Sequence, residues 1–540
     1  MPSITAMRVV HLAAVDRSGG AARSAFRLHA GLLARGMDST LLVGKKISSA
    51  ATVIECRPPA AEAGDPEAFC WDLIERHSAG ANRTPLSNTY FSVAPTGGDL
   101  SEHPLVRAAD VINLHWVAGF QSVTAVARLA ALGKPLVWTL HDQRPFTGGC
   151  HFTAGCQRFT TDCRDCPQLA ANPLQLPAAL LADQQALWPA GAITVACPSR
   201  WLADGARRSA VFRHARVENI PYGVETDVFQ PEPMGDARRH LQLQPEARHL
   251  LFGADYGEEK RKGFAELTAA LKICLQHPPF ADAVRGGRIV LLGFGRPSSA
   301  LAALPAPVRL LGSINNDALM SRIYSAADFF LLPSIEDNLP NTMIEAMSCG
   351  TPVVGFATGG IPDLVTDGVT GKLAPTGDVP ALAAAILELA ADPQRAAAMR
   401  PHCRQLIETH HSIAAQAAAY STLYEALPNR PAGVPPPAGL GPNLRSIYPD
   451  LLIASLAQHA RRLKANAGQE RRLARRLAGV LGELQSAPGT TSTEPQRLAD
   501  ALQQELAAVA WEREQRRARR HAKRAAWRVT IARWFRWLTR

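Results

Sequence analysis

Two carboxylates separated by seven residues are the side chains of this sequence best suited to chemistry. Asp337 follows a short apolar strand that ends near Pro333, and we predict that Glu345 lies in the first turn of a helix beginning near Asn341. A carboxylate beside the free amides of a helix N-terminus is well placed where a diphosphate and a ribose bind together. Glu336 directly precedes Asp337, so a one-residue shift of the loop would let Glu336 act instead. The alternative is that Asp337 and Asn338 only cap the helix and that Glu345 only favours its dipole.

A basic turn earlier in the chain supplies cations for the same kind of ligand. Arg261 and Lys262 stand before Gly263, which opens an amphipathic helical stretch. A guanidinium and an ammonium group together neutralise charge that builds on a departing diphosphate. A basic turn that only faces solvent is the alternative. We expect Lys262, with Arg261 as its partner, to contact a diphosphate.

Glycines mark two further places where the backbone can approach a phosphate closely. Gly19 and Gly20 follow the first predicted strand and precede a helix, as in the first turn of nucleotide-binding folds. Gly359 and Gly360 follow another apolar strand, PVVGF. Since any such first turn needs glycine, the first pair alone is weak evidence for a ligand.

Two histidines end strands in the first half of the chain. His115 ends the run DVINLHW, and His141 ends PLVWTLHD. The carboxyl ends of parallel strands meet at one edge of a sheet, where ligands bind in doubly wound folds. A lone buried histidine is usually a satisfied core group, but two at equivalent strand ends favour a functional site. We therefore add His115 and His141 to Asp337 and Glu345 as candidate catalytic residues.

Alternating apolar strands and Ala/Leu-rich helices must position these residues. The pattern predicts an α/β protein with two doubly wound, Rossmann-like domains that face a cleft, followed by a helical C-terminal tail. We predict an N-terminal domain at 1–190, a C-terminal domain at 191–427, a Pro-rich linker at 428–446 and a basic helical tail at 447–540.

Four cysteines lie within 17 residues, in a segment at 148–169 that we expect to be an insert near His141. The spacing ends in Cys-x-x-Cys and suits a tetrahedral zinc site of structural type. Two disulfides, or free thiols, are the alternatives. The candidate metal ligands are Cys150, Cys156, Cys163 and Cys166.

The net charge of +11 is concentrated in the tail. Residues 446–540 hold 19 Lys+Arg against 8 Asp+Glu, which leaves 39 of each sign in residues 1–445. The segment 527–540, WRVTIARWFRWLTR, places tryptophans on one helical face and arginines on the rest, which is typical of a helix lying in a membrane interface. Docking on another helix or on a protein partner is the alternative. No recognisable nucleic-acid-binding module accompanies the charge, so we expect no nucleic-acid partner.

The N-terminal residues read as a first strand rather than a signal peptide, and no apolar stretch reaches the about 18 residues that a membrane span needs. Ten cysteines without an export signal predict reduced thiols. We therefore expect a cytoplasmic protein that is peripheral at the inner face of the cytoplasmic membrane.

The acid, seven residues and glutamate resemble the nucleotide-sugar site of retaining glycosyltransferases of family 4. The resemblance covers residues 5–400 and implies a GT-B fold, with acceptor binding in the first domain and donor binding in the second. It implies that Glu345 hydrogen-bonds a ribose and that Asp337 contacts the donor sugar. It also implies that Lys262 and an arginine hold the diphosphate. The family's arginine after the first strand of the second domain is missing here, and Arg261 is the expected substitute.

The same resemblance places His115 in contact with the sugar and the acceptor, and His141 with Asp142 on the acceptor and phosphate side. The cysteine pattern resembles a subgroup of bacterial exopolysaccharide glycosyltransferases. The implied donor-binding residues are Gly19, Gly20, Arg261, Lys262, Glu336, Asn338, Leu339, Glu345, Gly359 and Gly360.

The resemblance thus implies an enzyme that moves a sugar from a UDP- or GDP-linked donor to a glycan or lipid-linked acceptor in surface polysaccharide or glycolipid synthesis. No cofactor is expected to be required for catalysis, because the departing phosphate takes the acceptor proton in such enzymes. A catalytically inert nucleotide-sugar-binding scaffold and a GT-B nucleotide-sugar epimerase are the alternative functions.

Overall fold

The computed structural model describes residues 7–56, 71–93, 98–254, 259–296 and 304–465. The tail segment at 527–540, predicted to lie in a membrane interface, is outside these residues, as is the rest of the tail beyond 465. Described residues 7–56 and 79–445 belong to one unit, and 71–78 and 446–465 belong to another. Within the second unit the rings of Trp71 and Tyr448 pack with their centroids 4.9 Å apart.

The first sheet contains seven parallel strands among the described residues, in the order β3-β2-β1-β4-β5-β6-β7. All residues of β4, β5 and β6 are buried, as expected for a parallel sheet with helices on both faces. The strands are β1 (Arg8–Val15), β2 (Asp38–Lys45), β3 (Val53–Glu55), β4 (Val111–Leu114), β5 (Leu136–Thr139), β6 (Ile193–Cys197) and β7 (Val217–Asn219).

The second sheet contains six parallel strands in the described part of the chain, in the order β10-β9-β8-β11-β12-β13. Its central strands are also fully buried, and its hydrophobic core continues into the helices on both faces. The strands are β8 (Arg248–Ala254), β9 (Ile289–Gly295), β10 (Val308–Leu310), β11 (Phe329–Leu332), β12 (Val353–Phe356) and β13 (Gly371–Ala374).

Helices follow most of these strands and complete the two doubly wound domains that the sequence pattern predicts. They are α1 (Gly20–Ala34), α2 (Pro104–Ala108), α3 (Val123–Ala130), α4 (Leu176–Leu187), α5 (Arg200–Arg208), α6 (Met234–His240), α7 (Phe264–Gln276), α8 (Pro278–Arg285), α9 (Asp317–Ala326), α10 (Asn341–Ser348), α11 (Val379–Ala391), α12 (Pro393–His410), α13 (Ile413–Glu425) and α14 (Pro442–Ala465).

The predicted domain boundary at residue 190 is wrong. β6 pairs with β5, and β7 pairs with β6, so the first domain continues to Asn219. In addition, α13 leaves the second domain and packs Tyr420 and Tyr424 into a core that it shares with β1 and α1. An apolar run in a sequence shows that a strand forms, but it does not show which sheet the strand joins.

The Pro-rich linker contains no helix or strand from 428 to 441, as predicted. It lies along the first domain, where the Arg430 amide donates to the Gly133 carbonyl at 2.7 Å. Helix α14 begins at Pro442, five residues before the predicted start of the tail. In the part of the chain that the structure describes, no helix combines the length and the hydropathy that a membrane span requires.

Candidate active site

Each sheet has a switch point, where successive strands begin to be added on the opposite side. β1 lies between β2 and β4, and β8 lies between β9 and β11. The carboxyl edge of a doubly wound sheet binds ligands at this point. Gly19 follows β1 and His115 follows β4, while Lys262 follows β8 and Asp337 follows β11. These four residues therefore lie at the switch points of the two sheets, while His141 follows β5 and Gly359 follows β12.

Asp337 lies between the two cations of the basic turn. Lys262 Nζ is 2.7 Å from Asp337 Oδ2, and Arg261 Nη1 is 3.2 Å from Oδ1. Burial by itself would raise the pKa of the Asp337 carboxyl, but Lys262 and Arg261 outweigh it and hold the pKa below its ordinary value. Burial and the neighbouring Arg261 lower the pKa of Lys262. The structure thus brings two positive charges together with the Asp337 carboxylate in a site largely closed to water, and a second carboxylate, Glu259, places its Oε2 2.7 Å from Arg261 Nε.

Glu336 has a different environment from its neighbour. Its carboxylate accepts a hydrogen bond from the Ala154 amide at 3.0 Å and contacts the Thr153 hydroxyl at 3.4 Å. Both donors belong to the cysteine-rich segment of the first domain. Burial raises the pKa of Glu336. Asp337, and not Glu336, is therefore the carboxylate that pairs with Lys262, while Glu336 holds the cysteine-rich segment against the second domain.

Three glycines of the predicted donor loops are required by the close approach of main chains. A Cβ added to Gly359 would lie 1.6 Å from the Asp337 carbonyl oxygen, and one added to Gly360 would lie 2.1 Å from that of Asn338. A Cβ on Gly263 would lie 1.7 Å from the Pro333 carbonyl oxygen. Gly263 and Gly359 also have positive φ angles of 71° and 56°. The turn that carries Asp337 thus packs against two other segments, one at Gly263 and one at Gly359, at positions where only glycine leaves enough room.

The glycine turn of the first domain meets the start of α10. Gly19 has a φ of 85°, and α1 begins at the next residue. The Asn341 side-chain amide donates to the Gly20 carbonyl at 3.0 Å and also contacts the Ser24 hydroxyl at 3.1 Å. These contacts join the first turns of two helices from different domains, and they bring Gly19 and Gly20 to the same cleft as Asp337.

Glu345 was predicted to lie in the first turn of its helix, and this prediction is wrong. α10 does begin at Asn341, but no acidic residue lies in its first turn, and no side chain caps it. Glu345 is one turn further along and only 4% exposed. Its Oε1 accepts from Arg27 Nη2 at 2.9 Å and from Arg23 Nη1 at 3.3 Å. The alternative in which Asp337 and Asn338 only cap the helix does not fit this structure.

The two residues after Asp337 have different surroundings. The Asn338 side-chain amide donates to the His141 carbonyl at 3.1 Å, and its carbonyl oxygen accepts from the Ser199 hydroxyl at 2.6 Å. Asn338 thus contacts two segments of the first domain. The Leu339 side chain is 3% exposed and packs in the core of the second domain, so it fixes the loop that carries Asp337 to that core.

The two candidate catalytic histidines belong to one line of hydrogen bonds. His115 Nδ1 is 3.1 Å from His141 Nε2, and His115 Nε2 is 2.9 Å from His11 Nδ1. His141 Nδ1 is 2.6 Å from the Tyr222 hydroxyl. Both ring nitrogens of His115 and of His141 are therefore occupied by neighbouring side chains. The sequence interpretation had each histidine acting on a ligand by itself, and it did not include His11 or Tyr222.

A small pocket with a cavity volume of about 20 Å³ adjoins these histidines in the first domain, which is room for about one water molecule. Asp142 at its wall accepts at Oδ2 from His151 Nδ1 at 2.6 Å and from Trp116 Nε1 at 3.0 Å, and at Oδ1 from the Arg144 amide at 3.0 Å. Burial would raise the pKa of Asp142, but the nearby His151 outweighs it and the pKa is lowered. The Gln121 side-chain oxygen is buried there without a hydrogen-bond partner among the described residues. The oxygen of Gln121 is therefore the acceptor that this pocket leaves open.

The four cysteines of the insert line one small cavity of about 20 Å³. All four are free thiols, and the Arg158 amide donates to Cys156 Sγ at 3.5 Å. Burial, together with the nearby Cys163 thiol, raises the pKa of Cys150 well above its usual value. In the described part of the chain, however, no group of three or more His, Cys, Asp or Glu side chains has an arrangement suited to a metal ion. The structural zinc site stays a prediction.

Three residues of the candidate site were missed because little in the local sequence marks them. Arg27 lies in the middle of α1 and is 1% exposed, yet it bonds Glu345 across the cleft. His11 lies inside β1 as a polar residue in an apolar run, which was the one available signal for it. Tyr222 falls in a turn whose sequence reads as structural.

The two doubly wound domains define a protein of the GT-B fold, whose cluster of Lys262, Arg261 and Asp337 lies in the second domain. Residues 247–392, which include Lys262, Asp337 and Glu345, match the family model described as "Glycosyl transferases group 1". This part of the chain is therefore similar to group 1 glycosyltransferases, which confirms the resemblance seen in the sequence.

Comparison with individual proteins extends this result. The GDP-mannose-dependent alpha-(1-6)-phosphatidylinositol monomannoside mannosyltransferase of Mycolicibacterium smegmatis is 34% identical over 199 residues, which cover 35% of this chain and 51% of that protein. The chain spans between 33% and 63% of the lengths of the curated relatives that it matches.

Solved structures share the fold at low sequence identity. Sucrose-phosphate synthase from Thermosynechococcus elongatus superposes with a TM-score of 0.54 and 19% identity, covering 78% of this chain and 98% of that one. HepE of Anabaena in complex with UDP-glucose superposes with a TM-score of 0.51 and 15% identity, covering 78% of this chain and all of that one. The predicted GT-B fold is confirmed.

Proposed function

We propose that this protein is a retaining glycosyltransferase that moves a sugar from a nucleotide-diphosphate sugar to a glycan or lipid-linked acceptor. The observation that carries the proposal is the convergence of Lys262 and Arg261 on Asp337 at the switch point of the second sheet. Two cations and a carboxylate in a buried cleft match the charges of a diphosphate and the hydroxyl groups of a sugar.

The cations act on the leaving group. Transfer breaks the bond between the anomeric carbon and the diphosphate oxygen and forms a bond from that carbon to the acceptor oxygen, whose proton passes to the departing phosphate. Negative charge builds on the diphosphate as its bond breaks. Lys262 and Arg261 stabilise that charge from positions that are already set, because Asp337 pairs with both and the Phe152 ring centroid lies 4.2 Å from the Arg261 guanidinium carbon. Asp337 then exchanges part of its pairing with the cations for hydrogen bonds to the donor sugar.

Glu345 is the proposed ribose ligand. Its Oε1 is held by Arg27 and Arg23, while Oε2 has a long contact of 3.5 Å to the Tyr324 hydroxyl. Oε2 is thus the oxygen with hydrogen-bonding capacity left for a ribose hydroxyl. The donor base is proposed as uracil or guanine, because one solved neighbour holds UDP-glucose and one relative is named as GDP-mannose-dependent.

Donor binding is the most direct test of this function. We expect UDP- or GDP-sugars to raise the melting temperature of the wild-type protein and Lys262→Ala to abolish the shift. Lys260→Ala is the matched control, because Lys260 lies in the same turn, is exposed and carries the same charge. Equal loss in both variants, or no shift with any nucleotide sugar, contradicts the donor site.

Turnover separates the enzyme from the alternatives. An inert scaffold binds nucleotide sugars without transfer or hydrolysis, and an epimerase changes the sugar while it is still attached to the nucleotide. For a retaining enzyme, the product has the same anomeric configuration as the donor, which proton NMR of the product reads directly. An inverted product would refute the retaining mechanism while leaving the glycosyltransferase assignment intact.

We propose that the acceptor binds the first domain beside the pocket that Asp142 and Gln121 line, because the Gln121 side-chain oxygen has no partner among the described residues and suits a hydroxyl group.

We propose that the tail binds the inner face of the cytoplasmic membrane, and the sequence of the tail alone supports this. Flotation with anionic liposomes tests it by comparing the full chain with a chain ending at Ala465. Undiminished flotation of the shorter chain would refute anchoring by the tail.

A further inference from the structure

His11, His115, His141 and Tyr222 come from four segments of the chain and form one buried line. His11 lies in β1, His115 follows β4, His141 follows β5, and Tyr222 lies in the crossover between the domains. Each of the four is at most 9% exposed. The three hydrogen bonds of 2.9, 3.1 and 2.6 Å link ring nitrogens that each carry either a proton or a lone pair.

Burial determines how many protons the three imidazole rings carry. Burial lowers the pKa of His141 to about 4 and that of His11 and His115 well below the ordinary value, so all three rings are neutral at pH 7. A neutral imidazole donates from one nitrogen and accepts at the other. Each of the three hydrogen bonds uses one hydrogen. Once Tyr222 either donates to His141 or accepts from it, the donor of the other two bonds is therefore fixed as well.

The two directions leave different groups unsatisfied. When Tyr222 donates to His141 Nδ1, every link is filled and only the Nε2–H of His11 lacks a partner. In the opposite direction the Tyr222 hydroxyl hydrogen has no acceptor among the described residues, and the Nε2 lone pair of His11 is also unpaired. A buried polar group without a partner destabilises the folded state, so the direction with fewer such groups is favoured.

We propose that Tyr222 and His11 are positioning residues that hold His115 and His141 in one polarised hydrogen-bond line, in which Tyr222 donates and each imidazole carries its proton on Nε2. The line fixes the orientation of both rings and leaves neither ring free to act as an acid or a base. The line therefore has a structural role, which is to hold the two rings in place at the wall of the cleft.

The main chain of one member of the line, His141, also contacts the second domain. The His141 carbonyl accepts from the Asn338 side chain, which directly follows Asp337. The catalytic consequence rests on the proposed function: a loosened His141 shifts Asn338 and the donor sugar, so turnover falls while the diphosphate contacts persist. Which ring nitrogen carries the proton does not depend on the proposed function.

Histidine-labelled protein tests the proposal by ¹⁵N NMR, which distinguishes the protonated ring nitrogen from the unprotonated one. In the wild-type protein we expect Nε2 protonated and Nδ1 unprotonated for His11, His115 and His141. In Tyr222→Phe we expect the ratio of the Nε2–H tautomer of His141 to its Nδ1–H tautomer to fall by about tenfold, because one buried hydrogen bond is lost.

Tyr420→Phe is the matched control. Tyr420 is buried in the same domain, and its hydroxyl contacts Thr139 at 2.9 Å but lies outside the line. We expect unchanged tautomers in this variant. Near-equal melting temperatures of the two variants show that both fold, and His11→Asn serves as a second probe of His115 if Tyr222→Phe does not fold.

Two results would overturn the proposal: Nε2 unprotonated on His115 or His141 in the wild type, or a folded Tyr222→Phe protein with unchanged tautomers. In transfer assays we expect Tyr222→Phe to lower kcat by about tenfold with the donor KM within twofold. If no donor is ever turned over, the proposed function fails, and the NMR result still decides the hydrogen-bond line.

Discussion

Arg27 Nη2 of the first domain lies 2.9 Å from Glu345 Oε1 of the second domain. The same guanidinium places Nε 2.7 Å from Glu225 Oε2, and only 1% of the Arg27 side chain is exposed. One buried cation therefore joins two carboxylates across the cleft. The carboxylate proposed to bind a ribose is also a contact that holds the domains together, so the donor and the domain arrangement are coupled through Glu345.

Removal of Arg27 should destabilise the protein strongly. Arg27→Ala leaves the buried Glu345 without its shortest ion pair, and breaking a buried pair costs about 3–5 kcal/mol. Arg23→Ala removes a partly exposed partner of the same carboxylate and should cost about 1 kcal/mol or less. Urea unfolding of the two variants measures both effects. Equal midpoints for them would contradict the role given to Arg27.

The adjacent acids should differ sharply in turnover. Asp337→Asn removes the charge between Lys262 and Arg261, and we expect a loss of more than about 100-fold in kcat/KM. Glu336→Gln keeps an oxygen that accepts from the Ala154 amide, so we expect a loss of less than about tenfold. The comparison is made with the nucleotide sugar that gives the largest thermal shift. A larger loss in Glu336→Gln would reverse the assignment of the working carboxylate.

The sequence was sufficient to predict both Rossmann-like domains and the residues at their switch points. Turn chemistry explains this success, because Gly263 and Gly359 stand where main chains touch and Asp337 follows a buried strand. The boundary near 190 could not be predicted, since pairing of β6 with β5 depends on contacts between residues distant in sequence. Arg27 was missed for the same reason, as its partner lies 318 positions away.

Acid should destabilise the protein in the window between the unfolded and the folded histidine pKa values. Burial lowers the pKa of His141, His249 and His411 to about 4, against about 6.5 in an unfolded chain. The unfolded state then binds more protons than the folded state between these values. Stability is therefore complete above pH 6.5 and falls as the pH drops towards 4.

Urea unfolding at a series of pH values measures this dependence. His249 lies in the second sheet, and both of its ring nitrogens are buried without partners among the described residues, so His249→Gln should reduce the loss of stability between pH 6.5 and 4. The wild-type protein measured over the same pH series is the reference. A flat profile in the wild-type protein over this range would show that these histidines are not held neutral by the fold.

The cysteine-rich segment should carry one equivalent of zinc and should support the cleft. Four thiols around one cavity suit zinc chemically, and the same segment presents Phe152 to Arg261 and the Ala154 amide to Glu336. We expect metal analysis of the purified protein to give about one zinc per chain. Cys163→Ser should lose that zinc and weaken nucleotide-sugar binding several-fold, because the segment that rests on Arg261 is then less well held.

Cys274→Ser is the control, since Cys274 is buried in the second domain, far from the insert in sequence, and should keep the metal. Thiol titration without reductant separates the remaining outcomes. Two disulfides leave four fewer reactive thiols in the unfolded protein, whereas free cysteines leave all ten. Zinc at a small fraction of one equivalent in wild-type protein, with all ten thiols reactive, would exclude both the metal and the disulfides, and the segment would then be held by its packing and by the bond from the Arg158 amide to Cys156 Sγ.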